Sequence, residues 1–125
     1  MKKDYLLMAQ RFARMSPCLK VKYGCVMVKG NEVISFGFNE PILVEDYCKI
    51  CKRKDKPHGE EYTSDCPALH AEEWAIINAI KIGRAKELKG ATAYISGFNM
   101  PKDAKPCWHC SRLMKAVGIK KVIIG

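Results

Sequence analysis

The sequence has no long apolar stretch. No uninterrupted apolar run approaches the roughly 18 residues of a membrane-spanning helix, and Asp4, Gln10 and Arg11 interrupt the segment that follows the charged start of the chain. A signal peptide also needs a continuous apolar centre, so we expect neither a signal peptide nor a membrane span. The most consistent compartment is the cytoplasm.

Acidic residues are also scarce. The chain has 13 acidic and 22 basic residues, which gives a formal net charge of +9. Such an excess attracts anionic partners, namely nucleotides, nucleic acids or a phosphate-bearing substrate, and does not choose among them. Part of it lies in residues 49–56, a run without aromatic residues that favours a solvated loop over a nucleic-acid patch.

Cysteine, in contrast, is abundant. Seven cysteines in 125 residues would indicate disulfides in a secreted chain, whereas in a cytosolic chain they indicate metal binding. The odd number also argues against complete pairing. Length and a hydrophobic content of 48% fit one domain over residues 1–125.

Hydrophobic periodicity and turn signals predict an α/β order of elements. The Gly30-Asn31 pair marks a hairpin turn in which both residues adopt positive φ. Residues 40–66 have no clear period and form a long, cysteine-bearing insertion. A strand, a helix and a strand close the chain and predict a parallel crossover. The predicted segments are a helix at 4–15, strands at 24–29 and 32–38, a helix at 67–82 with Trp74, Ile76, Ile77 and Ile80 packed inward, a strand at 91–96, a helix at 107–117 and a strand at 120–124.

Two short motifs carry the chemistry. His70 and Glu72 form an H-x-E pattern, and Pro106, Cys107 and Cys110 form P-C-x-x-C. One imidazole and two thiolates are three zinc ligands, which leaves the fourth tetrahedral position for water, as a catalytic zinc site requires. Zinc lowers the pKa of such a water to near neutral. Glu72 is then the candidate proton carrier.

The spacing of His70 and Glu72 constrains the local structure. Residues i and i+2 of an ideal helix point about 160° apart, so both face one metal only at a helix end. We therefore predict that this helix starts at residues 67–69. Cys107 and Cys110 follow a proline and predict a second helix start, so two helix N-termini converge on the metal and favour thiolates there.

Some of these residues have other interpretations. A lone C-x-x-C in an intracellular protein is also typical of a redox pair or of half a structural zinc site. His109, between the two cysteines, is interpreted as a solvent-facing or supporting residue because its turn already has two ligands.

A second C-x-x-C lies in the insertion. Cys48 and Cys51, together with Cys18 and Cys66, make a candidate closed structural zinc site, in which His58 would substitute for one cysteine. The alternative is four reduced, partly buried thiols. We favour the metal because packing alone does not explain a C-x-x-C in a loop without a core.

With these residues in place, the chain resembles the cytidine and deoxycytidylate deaminase superfamily, whose zinc enzymes carry the H-x-E and P-C-x-x-C signature. Residues 16–18, 22–26 and 37–39, with the cysteine-bearing insertion, are most similar to the deoxycytidylate branch. The resemblance implies a three-layer α/β/α sandwich with a mixed sheet, a catalytic zinc on His70, Cys107 and Cys110, proton transfer by Glu72 and a substrate contact from Asn39. It also implies that a second zinc, a homo-oligomer and a nucleoside triphosphate effector occur among similar enzymes.

The resulting functional hypothesis is zinc-dependent hydrolysis of a cytosine nucleotide, foremost deoxycytidine monophosphate (dCMP) to the uracil product (dUMP) and ammonia. Lys20, Lys22 and Arg53 are the candidate phosphate contacts, whereas Glu40 places a carboxylate beside Asn39. The alternatives are deamination of cytidine, guanine, a pterin-like ring or a transfer-RNA adenosine, and a non-enzymatic basic zinc module that binds nucleic acid.

Overall fold

The computed structural model describes residues 2–51 and 66–125. The predicted His58 and Arg53 therefore lie outside the described residues. None of the helices in the described part of the chain is long and apolar enough to cross a membrane. The elements are helices α1 (Lys2–Ala13), α2 (Ala71–Lys81) and α3 (Trp108–Ala116), strands β1 (Lys22–Lys29), β2 (Glu32–Phe38), β3 (Glu40–Pro41), β4 (Ala68–Leu69), β5 (Thr92–Phe98) and β6 (Lys121–Ile124), and single 3₁₀ turns at Val44–Asp46 and Ala85–Leu88.

The main sheet has four strands in the order β2-β1-β5-β6. Strand β1 is antiparallel to both of its neighbours, and β5 is parallel to β6, so the predicted mixed sheet is confirmed. The predicted crossover through α3 is likewise present between the two parallel strands. Strands β3 and β4 form a separate two-stranded pair.

Alternation along β1 divides the core into two layers. Cys25 and Met27 pack with α2 and α3, whereas Val26 and Val28 pack with α1 through Ala9. Successive side chains of a strand point to opposite faces, so a central strand with four consecutive apolar residues, Cys25 to Val28, must be covered on both faces. The result is the predicted α/β/α sandwich.

Helix α2, which carries the H-x-E motif, lies very close to β2. A Cβ atom placed on Gly37 would come within 2.5 Å of both the Ala71 carbonyl oxygen and the Ala75 nitrogen. Only glycine permits this approach of helix backbone to strand. Ser35, two residues earlier on the same strand, donates from Oγ to the Ala75 carbonyl oxygen at 2.8 Å. Together these contacts fix the N-terminal half of α2 against the sheet.

Three local predictions were wrong. The segment before His70 forms β4, and the helix begins at Ala71 with His70 as its N-cap. Ile80 is 57% exposed because it lies near the C-terminal end of α2, where helical periodicity does not guarantee a covering surface. In the hairpin turn Gly30 has φ of 62°, but Asn31 is not in the positive-φ region, a combination typical of a type II′ turn rather than type I′.

Candidate functional site

A cavity of about 510 Å³ opens beside the N-termini of α2 and α3. Segments that are distant in the sequence form its walls: the loop before β1, the end of β2, the insertion and the loop between β5 and α3. The predicted site residues that line it are Cys18, Asn39, Cys48, Cys51, Cys66, His70, Glu72 and Cys107. Cys110 lies behind the wall and is fully buried.

The structure brings His70, Cys107 and Cys110 together. The His70 Nδ1 atom is 3.5 Å from the Cys107 Sγ and 3.2 Å from the Cys110 Sγ. The three donor atoms lie within 4.8 Å of one another, and no other cluster of three or more His, Cys, Asp or Glu donors this tight occurs among residues 2–51 and 66–125. An imidazole nitrogen and two sulfurs at this spacing are a donor set that fits zinc.

Two helix N-termini supply these donors, as predicted. His70 is the N-cap of α2, and Cys107 is the N-cap of α3, with its sulfur accepting a hydrogen bond from the Cys110 backbone N–H at 3.3 Å. Hydrogen bonds with the Cys110 thiol and with His70 outweigh partial burial and lower the pKa of the Cys107 thiol to about 4. A thiolate is the form that binds metal.

Glu72 lies beside this cluster and faces the cavity. It is 6% exposed, and burial raises the pKa of its carboxyl even though the neighbouring His70 acts in the opposite direction. A carboxyl with a raised pKa holds and releases a proton closer to neutral pH, which is the property that general acid/base catalysis requires. Tyr23 lies on the same cavity wall, and burial, followed by the Glu72 charge, raises the pKa of its phenol.

Asn39 is 7% exposed and joins two chain segments at the cavity wall. Its side-chain amide donates to the Val21 carbonyl oxygen at 3.0 Å, and its own backbone carbonyl accepts from the Ser16 hydroxyl at 2.6 Å. The Ser16 Oγ in turn accepts from the Cys18 backbone N–H at 3.2 Å. Asn39 thus connects the end of β2 to the loop that precedes β1.

The Glu40 carboxylate, which the sequence places beside Asn39, does not line the cavity. Asn39 and Pro41 line the cavity, but Glu40, between them in extended backbone, does not, because alternate residues point in opposite directions. Its Oε2 accepts a hydrogen bond from the Tyr47 hydroxyl at 2.8 Å, and its carbonyl accepts from the Trp74 indole N–H at 2.9 Å.

The cations at the cavity differ in part from those predicted. Lys20 lines the cavity, as does Lys105 of the loop before α3, which sequence reasoning missed. Lys22 is not a lining residue, and its ammonium donates to the Ser16 carbonyl oxygen. An acidic residue, Asp103, lies on the same wall as Lys105. Lys105 immediately precedes Pro106 of the P-C-x-x-C motif, and this adjacency was the available signal.

The four cysteines of the candidate second site all line this cavity but do not form a tight cluster. Cys18, Cys48, Cys51 and Cys66 all line it, and in the described part of the chain no three of them bring their sulfurs within 4.8 Å of one another. His58, the proposed substitute ligand, lies outside the described residues.

Comparison with known proteins agrees with this geometry. A sequence model of the cytidine and deoxycytidylate deaminase zinc-binding region matches residues 1–125. The chain is 34% identical over 123 residues to a deoxycytidylate deaminase of Schizosaccharomyces pombe and 32% identical over 125 residues to one of Mycobacterium phage D29. These matches cover 95% of this chain, but 35% of the S. pombe protein and 89% of the phage protein.

Solved structures show the same fold. The dCMP deaminase of cyanophage S-TIM5 superposes with a TM-score of 0.68 and 23% identity over 98% of this chain and 80% of that one. A second structure of that enzyme, in complex with dCMP and dUMP, superposes equally well, with 79% of its chain covered. A RibD protein of Acinetobacter baumannii gives a TM-score of 0.60 at 22% identity over 99% of this chain and 27% of that one. The match over the whole chain, together with the His70, Cys107 and Cys110 cluster beside Glu72, establishes that this chain belongs to the cytidine and deoxycytidylate deaminase zinc-binding family.

Proposed function

We propose that this protein is a zinc-dependent hydrolase that converts dCMP and water to dUMP and ammonia. The observation that carries the proposal is the convergence of His70, Cys107 and Cys110 donors with the Glu72 carboxyl at one cavity. A purely structural zinc site would fill all four positions with protein ligands and would need no acid/base group. The similarity to the deoxycytidylate deaminases of S. pombe and phage D29 supports dCMP as the substrate.

His70, Cys107 and Cys110 would hold the ion, and zinc bound there would act as a Lewis acid that lowers the pKa of a water in the fourth position to near neutral. Glu72 accepts a proton from the attacking water as the new C–O bond forms at C4 of the base. It delivers this proton to the ring nitrogen, then takes the second proton from the oxygen added at C4 and passes it to the amine, so that the C4–N bond breaks and ammonia leaves. Backbone N–H groups at the start of α3 stabilise the negative charge of the tetrahedral intermediate.

The substrate would be a nucleotide rather than a nucleoside or a base. Lys20 and Lys105 line the cavity and can meet the charge of a 5′-phosphate, and the Glu40 carboxylate, which would repel it, is turned toward Tyr47. Asn39 would contact the sugar or base from the cavity wall. Lys22, whose ammonium is engaged by Ser16, would support the loop next to this contact.

The proposal also covers a second zinc, the extent of the domain, the oligomer and an effector. A second zinc would be held by Cys18, Cys48, Cys51 and Cys66, which all line the cavity, after their sulfurs move closer together. Residues 1–125 would act as one domain with the insertion at about 40–66. A homo-oligomer and regulation by a nucleoside triphosphate are proposed from the resemblance to similar enzymes.

Ammonia release tests the proposal. Zinc-loaded protein is assayed with dCMP, cytidine monophosphate, deoxycytidine, cytidine, guanine and transfer RNA, and Glu72→Gln serves as the inactive control. We expect dCMP to give the highest kcat/KM. Activity restricted to a free base, a nucleoside or transfer RNA would replace dCMP as the substrate, and absence of release from every compound would overturn the enzymatic assignment.

A further inference from the structure

Two adjacent glutamates, Glu72 and Glu73, occupy the first turn of α2, and both are buried. They are 6% and 8% exposed, respectively. Neighbouring residues of a helix point about 100° apart, so the two carboxylates face different surroundings. Glu72 lines the cavity, whereas Glu73 does not. The proposed reaction therefore uses one of these buried carboxylates and leaves the other without a role.

Glu73 bonds to the backbone of the proposed zinc ligand. Its Oε1 accepts a hydrogen bond from the His70 backbone N–H at 2.8 Å, which is the glutamate half of a capping box. Burying a carboxylate is unfavourable unless it is hydrogen-bonded, and the positive end of a helix offsets part of this cost. The position of Glu73 supplies both compensations.

His70 depends on this contact for its orientation. It lies at the junction of β4 and α2 with extended backbone, φ of −75° and ψ of 158°. Its carbonyl oxygen accepts the first hydrogen bond of the helix, from the Trp74 N–H at 3.1 Å, whereas its own N–H takes no part in the helical pattern. Rotation at this junction would swing the imidazole away from the two sulfurs, which lie 3.2 and 3.5 Å from Nδ1. A hydrogen bond to the His70 N–H restrains that rotation.

We propose that Glu73 is a positioning residue that holds His70 in its metal-binding orientation before the ion binds. The hydrogen-bond acceptor is the effective feature, since it fixes the backbone from which the ligand projects. Groups that orient metal ligands typically change metal affinity about 10- to 100-fold when they are removed, because a preorganised site loses less conformational freedom on binding. This inference rests on the ligand set of the proposed function.

Zinc affinity, measured by competition with a chromogenic chelator, tests the inference without relying on activity. Cys110→Ser removes one proposed ligand from the full chain, so the zinc that this variant fails to bind is the zinc of the His70 site. We expect Glu73→Ala to weaken zinc binding there about 10- to 100-fold. Glu73→Gln, which retains an acceptor oxygen, should stay within a factor of about 3 of the unsubstituted protein, since the hydrogen bond is kept.

A matched control lies on the same helix. Asn78 donates from Nδ2 to the Phe36 carbonyl oxygen at 2.8 Å, so Asn78→Ala removes one hydrogen bond that holds α2 to β2 without reaching His70. Its zinc affinity should remain close to that of the unsubstituted protein. Equal affinities in Glu73→Ala and Asn78→Ala, or equal losses in Glu73→Ala and Glu73→Gln, would overturn the positioning role.

Amide hydrogen exchange in the zinc-free protein gives a second readout. Glu73→Ala should speed exchange at the His70 N–H and leave exchange in the buried middle of α2, near Ile76, unchanged, because only the local contact is lost. Glu73→Asp keeps the charge but shortens the side chain, so it should also lose the hydrogen bond to the His70 N–H. It replaces Glu73→Ala in these measurements if Glu73→Ala does not fold, and the same results are expected. If no zinc were lost in Cys110→Ser, the ligand set itself would be wrong, which is a failure distinct from unchanged affinity in Glu73→Ala.

Discussion

Asn39 and Tyr23 are joined by two hydrogen bonds at the cavity wall. The Tyr23 backbone N–H donates to the Asn39 Oδ1 at 2.9 Å, and the Asn39 backbone N–H donates to the Tyr23 carbonyl oxygen at 3.3 Å. This pair fixes the end of β2 against the start of β1. The Asn39 side chain is therefore both a proposed substrate contact and part of the scaffold of the cavity.

Asn39→Ala should therefore reduce both stability and catalysis. The change leaves the Tyr23 N–H and the Val21 carbonyl without their partner, which we expect to lower the free energy of unfolding by ~1–3 kcal/mol. The proposed substrate contact is lost as well, so kcat/KM should fall further than stability explains. Denaturant unfolding and steady-state kinetics on dCMP measure the two effects.

Gln10→Ala is the control for this prediction. Gln10 Nε2 also donates to a backbone carbonyl, that of Gly97 at 3.3 Å, but Gln10 does not line the cavity. It should lose some stability and retain kcat/KM. If Asn39→Ala behaved in the same way, Asn39 would be part of the scaffold only.

Glu72→Gln should remove turnover while leaving the metal bound. Glutamine keeps the shape of the side chain but cannot accept the proton of the attacking water, so kcat should fall by at least ~10². Zinc content should not change, because Glu72 is not among the proposed ligands. Ammonia release over time measures kcat, and elemental analysis of the same preparation measures the zinc content.

The neighbouring glutamate gives the comparison for Glu72. Glu73→Gln changes the same charge in the same turn and retains the hydrogen-bond acceptor for His70, so its turnover should remain within a few-fold of normal. Near-normal turnover of Glu72→Gln would show that another group carries the proton.

The grouping of His70, Cys107 and Cys110 could be predicted because the chemistry of zinc ligands restricts sequence spacing. Cys107 and Cys110 are separated by about one helical turn, so both can face one ion. Glu72 follows His70 by two residues, and two such residues can face the same ion only at the end of a helix. The structure has this arrangement. The helix start itself was misplaced because histidine is not among the residues that ordinarily mark an N-cap. Glu73, three residues later, was the remaining capping signal.

The cavity wall could not be predicted to the same extent. Lys105 and Lys20 meet there from loops that are 85 positions apart and have no periodic pattern. The orientation of Glu40 depends on two residues of extended backbone that pair with β4, a contact between distant segments. Periodicity reports the direction of a side chain along one element, and it does not report which loops will face that element.

Cys51→Ser should reduce the zinc content from two ions per chain to one. Cys18, Cys48, Cys51 and Cys66 line the same cavity, and four thiolates would complete a closed structural site. The catalytic ion should remain, because Cys51 is not part of the His70 cluster. Elemental analysis of protein purified without chelators gives the count.

Thermal unfolding adds a second measure of this site. A structural ion stabilises the folded protein, so Cys51→Ser should also lower Tm, and added chelator should shift it less than in the unsubstituted protein. One zinc per chain in the unsubstituted protein, unchanged by Cys51→Ser, would eliminate the second site.

Phosphate recognition should depend on Lys20 and Lys105. A monophosphate carries up to two negative charges, and each charge-assisted contact contributes about 1.5–3 kcal/mol, so dCMP should exceed deoxycytidine by roughly 10² or more in kcat/KM. Lys105→Ala and Lys20→Ala should each reduce kcat/KM for dCMP by about 10-fold or more and leave the value for deoxycytidine nearly unchanged.

The surrounding loop offers the matched control for charge. Lys102→Ala removes the same charge three residues before Lys105, at an exposed position that does not line the cavity. It should change kcat/KM for dCMP only slightly.

Raising the salt concentration should weaken the dCMP reaction and not the deoxycytidine reaction, because screening acts on the charged substrate. Equal kcat/KM for dCMP and deoxycytidine in the unsubstituted protein would exclude phosphate recognition. Because Glu40 is held by Tyr47 and lies outside the cavity wall, repulsion by its carboxylate would not explain that result, and the cavity would then be one that recognises the base and sugar without contacting the phosphate.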